Sequence, residues 1–309
     1  MENKVLELAK VIGDPVDPNL PLAFELSKIA MFDTAEPGEK TWTFDGEDTI
    51  VDEVYQVASD GTLTYVKENL VGTIEVSFTD LATPLKYLNV LEVLRSLDEK
   101  KLGRIKRSIT RAMDKQEAYM LLKAIMDSTA IEEITGDATN EDIYDVIVKA
   151  FEAIEDYGDG YVLLAGSKVY SAIDLYSKKN AGTFNYEVSI RDYLKSKNAE
   201  LIKVFEKVKN DDGTVNLLDP KKAILVAVNS RVAEGKPLFV VRRKFDANIA
   251  KNLGVDVEGQ QRAIVSTSAP MNVPGTGNVL GYGLAGVESV AMGILNTRVI
   301  KKIDLSDFV

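Results

Sequence analysis

The strongest constraint on the fold is a long helical pattern in the second quarter of the chain. Thr83 followed by Pro84 suits a helix start, because Thr caps helices and Pro fits their first turn. Apolar residues then recur at helical spacing, with a break at Gly103 and a new start at Ile105. The pattern predicts one long kinked helix, or two helices, ending near Asp127. At about 1.5 Å per residue this helix exceeds an ordinary domain radius, so we expect it to be a spine for other elements.

Residues 41–78, which precede this pattern, have the composition of β-strands. Asp45-Gly46 and Asp60-Gly61 lie between β-prone runs, and this pattern predicts hairpin turns. A lone two-stranded hairpin is marginally stable in water, so the segment needs a partner surface in this subunit or in a neighbour. Its aromatic residues could cap a local core, but we interpret them as anchors between subunits. These residues are Trp42, Phe44, Tyr55, Tyr65 and Phe78.

The first residues predict a short helix that ends at Gly13, followed by an extended arm. Pro15, Pro18 and Pro21 lack a backbone donor and favour extended backbone. An arm with few local contacts must bind another surface or stay disordered. We therefore group these prolines with the aromatic residues as candidate contacts between subunits.

The region after the long helix alternates helices and strands. The sequence predicts a helix capped by Thr139 with Asp142 in a capping box, a buried strand at 161–165, and a helix from Ser167. Further strands are predicted at 201–208, 223–229 and 238–241, and residues 262–303 are rich in β-forming residues. This alternation predicts a compact mixed α/β region.

The chain contains no Cys and no His, which narrows the chemistry available to it. Thiolate nucleophiles, disulfides and imidazole bases are excluded, so catalysis would depend on carboxylates, Lys, Tyr, Ser or Thr. We expect no metal and no cofactor. The net charge of −11 argues against a nucleic-acid binder that is basic over its whole surface. The longest apolar run, 223–228, is too short to span a bilayer, and no leader peptide is apparent.

Three short motifs favour structural roles over chemistry. The glycine-rich residues 275–281 lack the Lys that a phosphate-binding loop needs, which favours a connecting loop. Asp211-Asp212-Gly213 lacks the ligand spacing of a calcium loop and predicts a hairpin turn. Glu132-Glu133 and Glu155-Asp156 are adjacent pairs whose side chains diverge on a helix, which favours solvated positions over acid–base catalysis.

Two clusters of basic residues stand out in this acidic chain. Each is interpreted either as a solvated face or as a contact with an acidic neighbour or enclosed nucleic acid. The shorter cluster is Arg242-Arg243-Lys244. The longer cluster has no acidic residue within it and comprises Lys100, Lys101, Arg104, Lys106, Arg107 and Arg111.

The order of these elements resembles the tailed-phage major capsid proteins, which share the Hong Kong 97-like shell fold with encapsulins. The local similarity is best where a capped amphipathic helix at 143–157 leads to Tyr161-Val162-Leu163-Leu164-Ala165 and then Ser167-Lys168-Val169-Tyr170. Lys168 stands where members often have Pro. Residues 283–288 and 296–299 also resemble the C-terminal strands of the family.

The resemblance implies an α+β fold with an N-terminal arm at 1–31 and an extended β-hairpin loop at 32–79 that lies over a neighbouring subunit. Residues 80–135 and 237–309 would form a peripheral domain with the spine helix, and 136–236 an axial domain. It implies a non-enzymatic major capsid protein whose pentamers and hexamers enclose double-stranded DNA. Assembly would occur in the host cytoplasm, and scaffold, portal and decoration proteins are the further partners expected.

Two alternatives remain open at this point. An encapsulin-type compartment would have the same fold and would enclose a cargo enzyme. The prolines after Gly13 favour the phage protein, because encapsulins usually have an N-terminal helix in place of an extended arm, and a shorter loop. An enzyme that uses carboxylates or Lys, with the glycine-rich loop at its site, is the other alternative.

Overall fold

The computed structural model describes residues 26–47, 70–84, 86–89, 99–176, 178–179, 187–210, 213–230, 235–246, 259–273 and 277–309. A short 3-10 helix, Leu26–Lys28, precedes the first strand. The α-helices of these residues are α1 (Glu99–Asp127), α2 (Ile143–Glu152), α3 (Ser167–Leu175) and α4 (Ile190–Ser196).

The strands form two large sheets and three two-stranded ones. The six-stranded sheet contains β1 (Ala30–Ala35), β4 (Thr79–Ala82), β5 (Lys86–Asn89), β14 (Leu238–Arg243), β15 (Arg262–Val273) and β16 (Gly277–Ile294). The five-stranded sheet contains β6 (Glu133–Thr135), β7 (Gly158–Gly166), β10 (Glu200–Val204), β13 (Lys222–Ser230) and β17 (Ile300–Asp304). The two-stranded sheets pair β2 (Thr41–Glu47) with β3 (Leu70–Ser77), β8 (Lys178–Lys179) with β9 (Glu187–Val188), and β11 (Lys207–Asn210) with β12 (Gly213–Asn216).

The five-stranded sheet is covered on both faces, and its central strands are therefore continuously apolar. In β7, Leu163 packs with the short helices α2, α3 and α4, whereas its neighbour Leu164 points to the opposite face. On the face of the sheet that carries Leu163, Phe151 of α2 is buried, and its ring meets the Tyr161 ring edge-on at 5.1 Å between centroids. Each fully buried Leu or Phe contributes about 1.5–3 kcal/mol.

Helix α1 lies between the two large sheets. Its buried residues Leu121 and Ile125 share one apolar cluster with Ile224 of the five-stranded sheet and with Val240 and Val290 of the six-stranded sheet. The spine expected from the sequence is thus present, because α1 presents apolar residues to two sheets at once.

The hairpin of β2 and β3 is anchored at its root on the other face of the six-stranded sheet. Trp42 and Phe78 are partly buried there against Phe239 and Ala291. Of the two partner surfaces that the sequence left open for this segment, Trp42 and Phe78 therefore use one within their own subunit.

The prediction that the long helix starts at Thr83-Pro84 is wrong. Strands β4 and β5 occupy this region instead, both pairing with β16, and α1 begins only at Glu99. The Thr83 hydroxyl does not cap a helix; it accepts a hydrogen bond from the Gly286 backbone N–H at 2.8 Å. Sheet pairing along the long strand β16 has overridden the local helix-start signal.

One expected turn and one expected helix cap also differ from those in the structure. Asp45-Gly46 lies inside β2, where the register shifts between Phe44 and Gly46, so it is a β-bulge and not a turn. Asp60-Gly61 lies outside the described residues. The cap of α2 is Asp142, three residues after the predicted Thr139, and its carboxylate accepts from the backbone N–H of Asp145 at 3.2 Å.

The other strands of the second half follow the sequence closely. The buried strand, the helix from Ser167 and the strands near 223–229 and 238–241 are all confirmed. The strand predicted at 201–208 is two strands, β10 and β11. Residues 277–281 of the glycine-rich segment belong to β16 and are strand, which corrects the expected loop at these positions, while 275 and 276 lie outside the described residues.

The domain boundaries expected from the sequence stay a prediction, and both large sheets join segments that are distant in sequence. In the five-stranded sheet β17 pairs with β13 on one side and with β6 on the other. Strand β1, which spans the expected end of the arm and start of the loop, runs parallel to β14.

Candidate functional site

The predicted contact residues of the arm and loop are only partly visible. Trp42 and Phe78 lie at the hairpin root, and Phe44 is in β2 opposite Ile74. The remaining predicted contacts lie outside the described residues: Pro15, Pro18, Pro21, Tyr55 and Tyr65.

The longer basic cluster lies on the first half of α1. Lys100 and Lys101 are in its first turn, and Lys106 is partly buried. Arg104 and Arg107 are exposed and form no ion pair with any residue that the structure describes. Arg111 is also exposed, but it donates to Glu206 at 2.6 Å. The structure thus places Arg104, Arg107 and Arg111 of this cluster on a solvent-facing side.

The shorter basic cluster is used within the subunit. Arg243 donates to Asp80 at 3.2 Å, and Lys244 donates to Glu36 at 2.6 Å. Arg242 lies with its guanidinium 5.0 Å from the centre of the Phe32 ring and turns its N–H groups inward. These contacts favour a structural role for this cluster over binding of an external anion.

A buried network of five charged side chains joins α1 to the six-stranded sheet. Arg242 of β14 donates to both carboxylate oxygens of Glu117, each at 2.8 Å. Arg262 of β15 pairs with Asp114 at 2.5 Å, with Glu117 at 2.8 Å, and with Glu288 of β16. The Glu117 side chain is only 1% exposed. Three carboxylates thus face two guanidinium groups.

The surplus carboxylate changes the proton affinities within this network. Burial and the negative charge of Glu117 raise the pKa of Glu288 to about 7, against the attraction of Arg262. Burial also raises the pKa of Asp114. For Glu117, burial acts in the same direction, but the hydrogen bonds from Arg242 and the charge of Arg262 outweigh it and lower the pKa.

Sequence reasoning missed this network, although two signals pointed to it. Glu288 interrupts the apolar stretch of β16, and Asp114 and Glu117 lie among the apolar positions of α1. Only the pairing of β15 with β16 sets Arg262 opposite Glu288. The side-chain Oε1 of Glu288 is buried without a hydrogen-bond partner among the described atoms, as expected for a group that ionises reluctantly.

The adjacent carboxylates serve as structural ion-pair partners. Glu132 accepts from Lys301 of β17 at 2.6 Å, and Glu133 of β6 accepts from Lys222 of β13 at 3.0 Å. Glu155 accepts from Lys197. Within the described ranges, no group of three or more acidic residues has the geometry to hold a metal ion. No helix there is long and apolar enough to cross a membrane.

Comparison with known proteins gives a match in structure but not in sequence. No family model matches the chain, and no curated protein matches its sequence. A virus-like particle from Pyrococcus furiosus has a TM-score of 0.53 and 13% identity, over 97% of this chain and 98% of the other. The mature capsid of bacteriophage PhiM1 gives 0.51 and 12%, over 95% and 90% of the two chains.

An encapsulin complex from Synechococcus elongatus gives a TM-score of 0.51 and 11% identity, over 92% of this chain and 89% of the other. The similarity leaves no large part of either chain unmatched. The chain has the Hong Kong 97-like fold. The α+β class and the fold expected from the sequence are therefore confirmed.

In this chain, charged residues lie on both the buried and the exposed sides of α1. The buried network joins the inner side of α1 to the six-stranded sheet, while the exposed arginines of the longer basic cluster face outward from the same helix. The fold is shared across proteins that are 13% identical or less in these comparisons. Packing, and not specific side chains, therefore carries the similarity.

Proposed function

We propose that this chain is a shell protein, many copies of which assemble through weak repeated contacts into a closed icosahedral particle. The observation that carries the proposal is the similarity of fold over about nine-tenths or more of both chains to a virus-like particle, a phage capsid and an encapsulin. A fold retained over its whole length, at such low identity, is consistent with selection on the shape of the subunit. The proposal gives the chain no catalytic step.

The hairpin of β2 and β3 supports assembly on physical grounds. Its described strands pair only with each other, and Trp42 and Phe78 at its root pack on the subunit. A two-stranded ribbon gains stability when its remaining faces meet another surface, and a neighbouring copy supplies one at each position of a symmetric shell. Many such contacts give strong avidity once the particle closes.

We further propose that the shell is the head of a tailed phage, built of pentamers and hexamers around double-stranded DNA. The prolines at 15, 18 and 21, which favour an extended arm, support this choice. Subunits would assemble in the host cytoplasm and remain in the virion, with scaffold, portal and decoration proteins as partners. An encapsulin-type compartment is the second candidate, because an encapsulin shares the fold.

Light scattering coupled to gel filtration, followed by negative-stain microscopy, tests the general proposal. A shell protein elutes as megadalton particles or as capsomers that close into round particles. A stable monomer or small oligomer that forms no particles over a range of salt and pH would contradict it.

Particles recovered from the source organism separate the two finer proposals. After external nuclease treatment, a phage head retains protected double-stranded DNA. An encapsulin retains a co-purifying protein cargo and little DNA. Gel electrophoresis for nucleic acid and mass spectrometry for protein, on the same preparation, give the answer.

A further inference from the structure

Helix α1 separates its charges between its two sides. The acidic residues of its middle turns, Asp114 and Glu117, are both drawn inward by Arg262. The outward side therefore keeps only positive charges along this stretch. In a chain with a net charge of −11, this separation makes a local surface of reversed sign.

The outward positive charges follow a single line along the helix. Arg104, Arg107 and Arg111 are exposed and are spaced by three and four residues, which puts them on one face. Lys115, four residues after Arg111, continues this row. From Arg104 to Lys115 the row is about 17 Å long at 1.5 Å per residue.

A neighbouring hairpin widens this surface and fixes part of it. Lys115 donates to the backbone carbonyl of Lys207 in β11 at 3.4 Å, and exposed Lys207 and Lys209 lie beside the helix. Glu206, whose side chain is 4% exposed, lies beneath Arg111 and Lys115 at 2.6 and 3.9 Å. This buried carboxylate holds the two cations in place, and Arg111 remains 57% exposed above it.

The surface has the character of a polyanion site and not of a protein interface. The centre of a protein interface usually contains large apolar side chains. The exposed large apolar residues of the described chain are Phe32, Tyr157, Leu175 and Phe205, and none is on α1. Cations three or four residues apart on one helix face instead suit a regular row of phosphates, which duplex DNA presents at about 1.7 Å per charge.

We propose that this face of α1, with Lys207 and Lys209 of β11, binds the phosphate backbone of nucleic acid without sequence preference. The inference rests on the proposed shell function, in which the face would contact the enclosed nucleic acid. Binding is weak for each subunit and strongly dependent on salt, because it derives from the release of counterions.

The test measures binding of a fluorescently labelled 20-base-pair duplex to unassembled full-length protein by anisotropy, between 50 and 200 mM salt. The double variant Arg104→Gln/Arg107→Gln removes two cations that have no ion-pair partner among the described residues. We expect the slope of log K against log salt to fall in magnitude by about 1.8, near 0.9 for each lost phosphate contact. The matched control is Lys168→Gln/Lys195→Gln, with equal charge loss at exposed sites of α3 and α4.

Equal affinity and slope in the double variant and the control would overturn the proposal, as would failure of the unaltered protein to bind the duplex at 50 mM salt. A peptide of residues 45–69, with seven carboxylates and one Lys, represents an acidic protein partner. Preferential binding of this peptide through Arg104 and Arg107 would also overturn it. Microscopy of the same protein, brought to the range of salt and pH used to test assembly, separates the outcomes. Shells without DNA binding refute only this inference, whereas absence of shells refutes the proposed function.

Discussion

Replacing Glu288 with Gln removes the surplus negative charge of the buried network while keeping the size of the side chain. Gln can still accept a hydrogen bond from Arg262 of β15, so the contact between β15 and β16 is preserved. Burial and the neighbouring carboxylate of Glu117 place the pKa of Glu288 at about 7, against an ordinary value of 4.5. The ionised form is therefore the less stable form in the folded protein.

The expected magnitude follows from linkage between proton binding and folding. Folded protein holds the Glu288 proton more tightly than unfolded protein between pH 4.5 and about 7, so stability falls as pH rises through this window. Each pKa unit corresponds to about 1.4 kcal/mol, which gives a loss of about 3 kcal/mol by pH 8. The raised pKa of Asp114 adds a contribution of the same sign. The lowered pKa of Glu117 has the opposite effect, because it makes the stability of the fold rise with pH in the range below pH 4.5.

We therefore expect Glu288→Gln to be more stable than the unaltered protein by up to about 3 kcal/mol at pH 8, and nearly equal to it at pH 5. Urea unfolding of unassembled subunits measures this difference, with fluorescence of Trp42, the single tryptophan, as the signal. Glu152→Gln, the same change on the exposed side of α2, is the control and should follow the unaltered protein. Parallel stability curves for Glu288→Gln and the unaltered protein from pH 5 to 8 would refute the reasoning.

Two further substitutions test packing and capping. Asp142→Ala removes the α2 cap and the 2.7 Å hydrogen bond from the Tyr176 hydroxyl. It should lower the free energy of unfolding by about 1–2 kcal/mol. Asp142→Asn is the check, because an Asn cap should restore much of this stability. Gly286→Ala puts a methyl group 2.5 Å from Met113 Sδ and closer still to Ile109, so α1 must shift from β16 at about 1–3 kcal/mol. An unchanged melting temperature for Gly286→Ala would show that the helix yields freely.

The elements that the sequence predicted best are those whose local pattern and tertiary environment agree. Strand β7 is apolar on both faces and is buried on both faces, and α3 begins at the expected Ser167. The turn expected at Asp45-Gly46 failed because cross-strand pairing with β3 continues through it as a bulge. The helix expected from Thr83 failed because β16 offers two further pairing sites to β4 and β5.

The charged residues show the same division between local and distant causes. The exposure of Arg104 and Arg107 follows from an uninterrupted basic stretch on an amphipathic helix, and local spacing is enough to predict it. The inward turn of Arg242 depends on Glu117, which is 125 residues away in sequence. No local pattern reports such a pair, because it forms only after the sheet and α1 have packed.

The parallel pairing of β1 with β14 bears on how the polypeptide is made. Residues 30–35 meet residues 238–243, and the five-stranded sheet closes only when residues 300–304 insert between β13 and β6. A ribosome must therefore deliver nearly the whole polypeptide before either sheet can finish. Such distant pairings slow folding, and they leave unfinished chains without a completed surface. Prematurely terminated copies would thus be excluded from a growing lattice by their own topology.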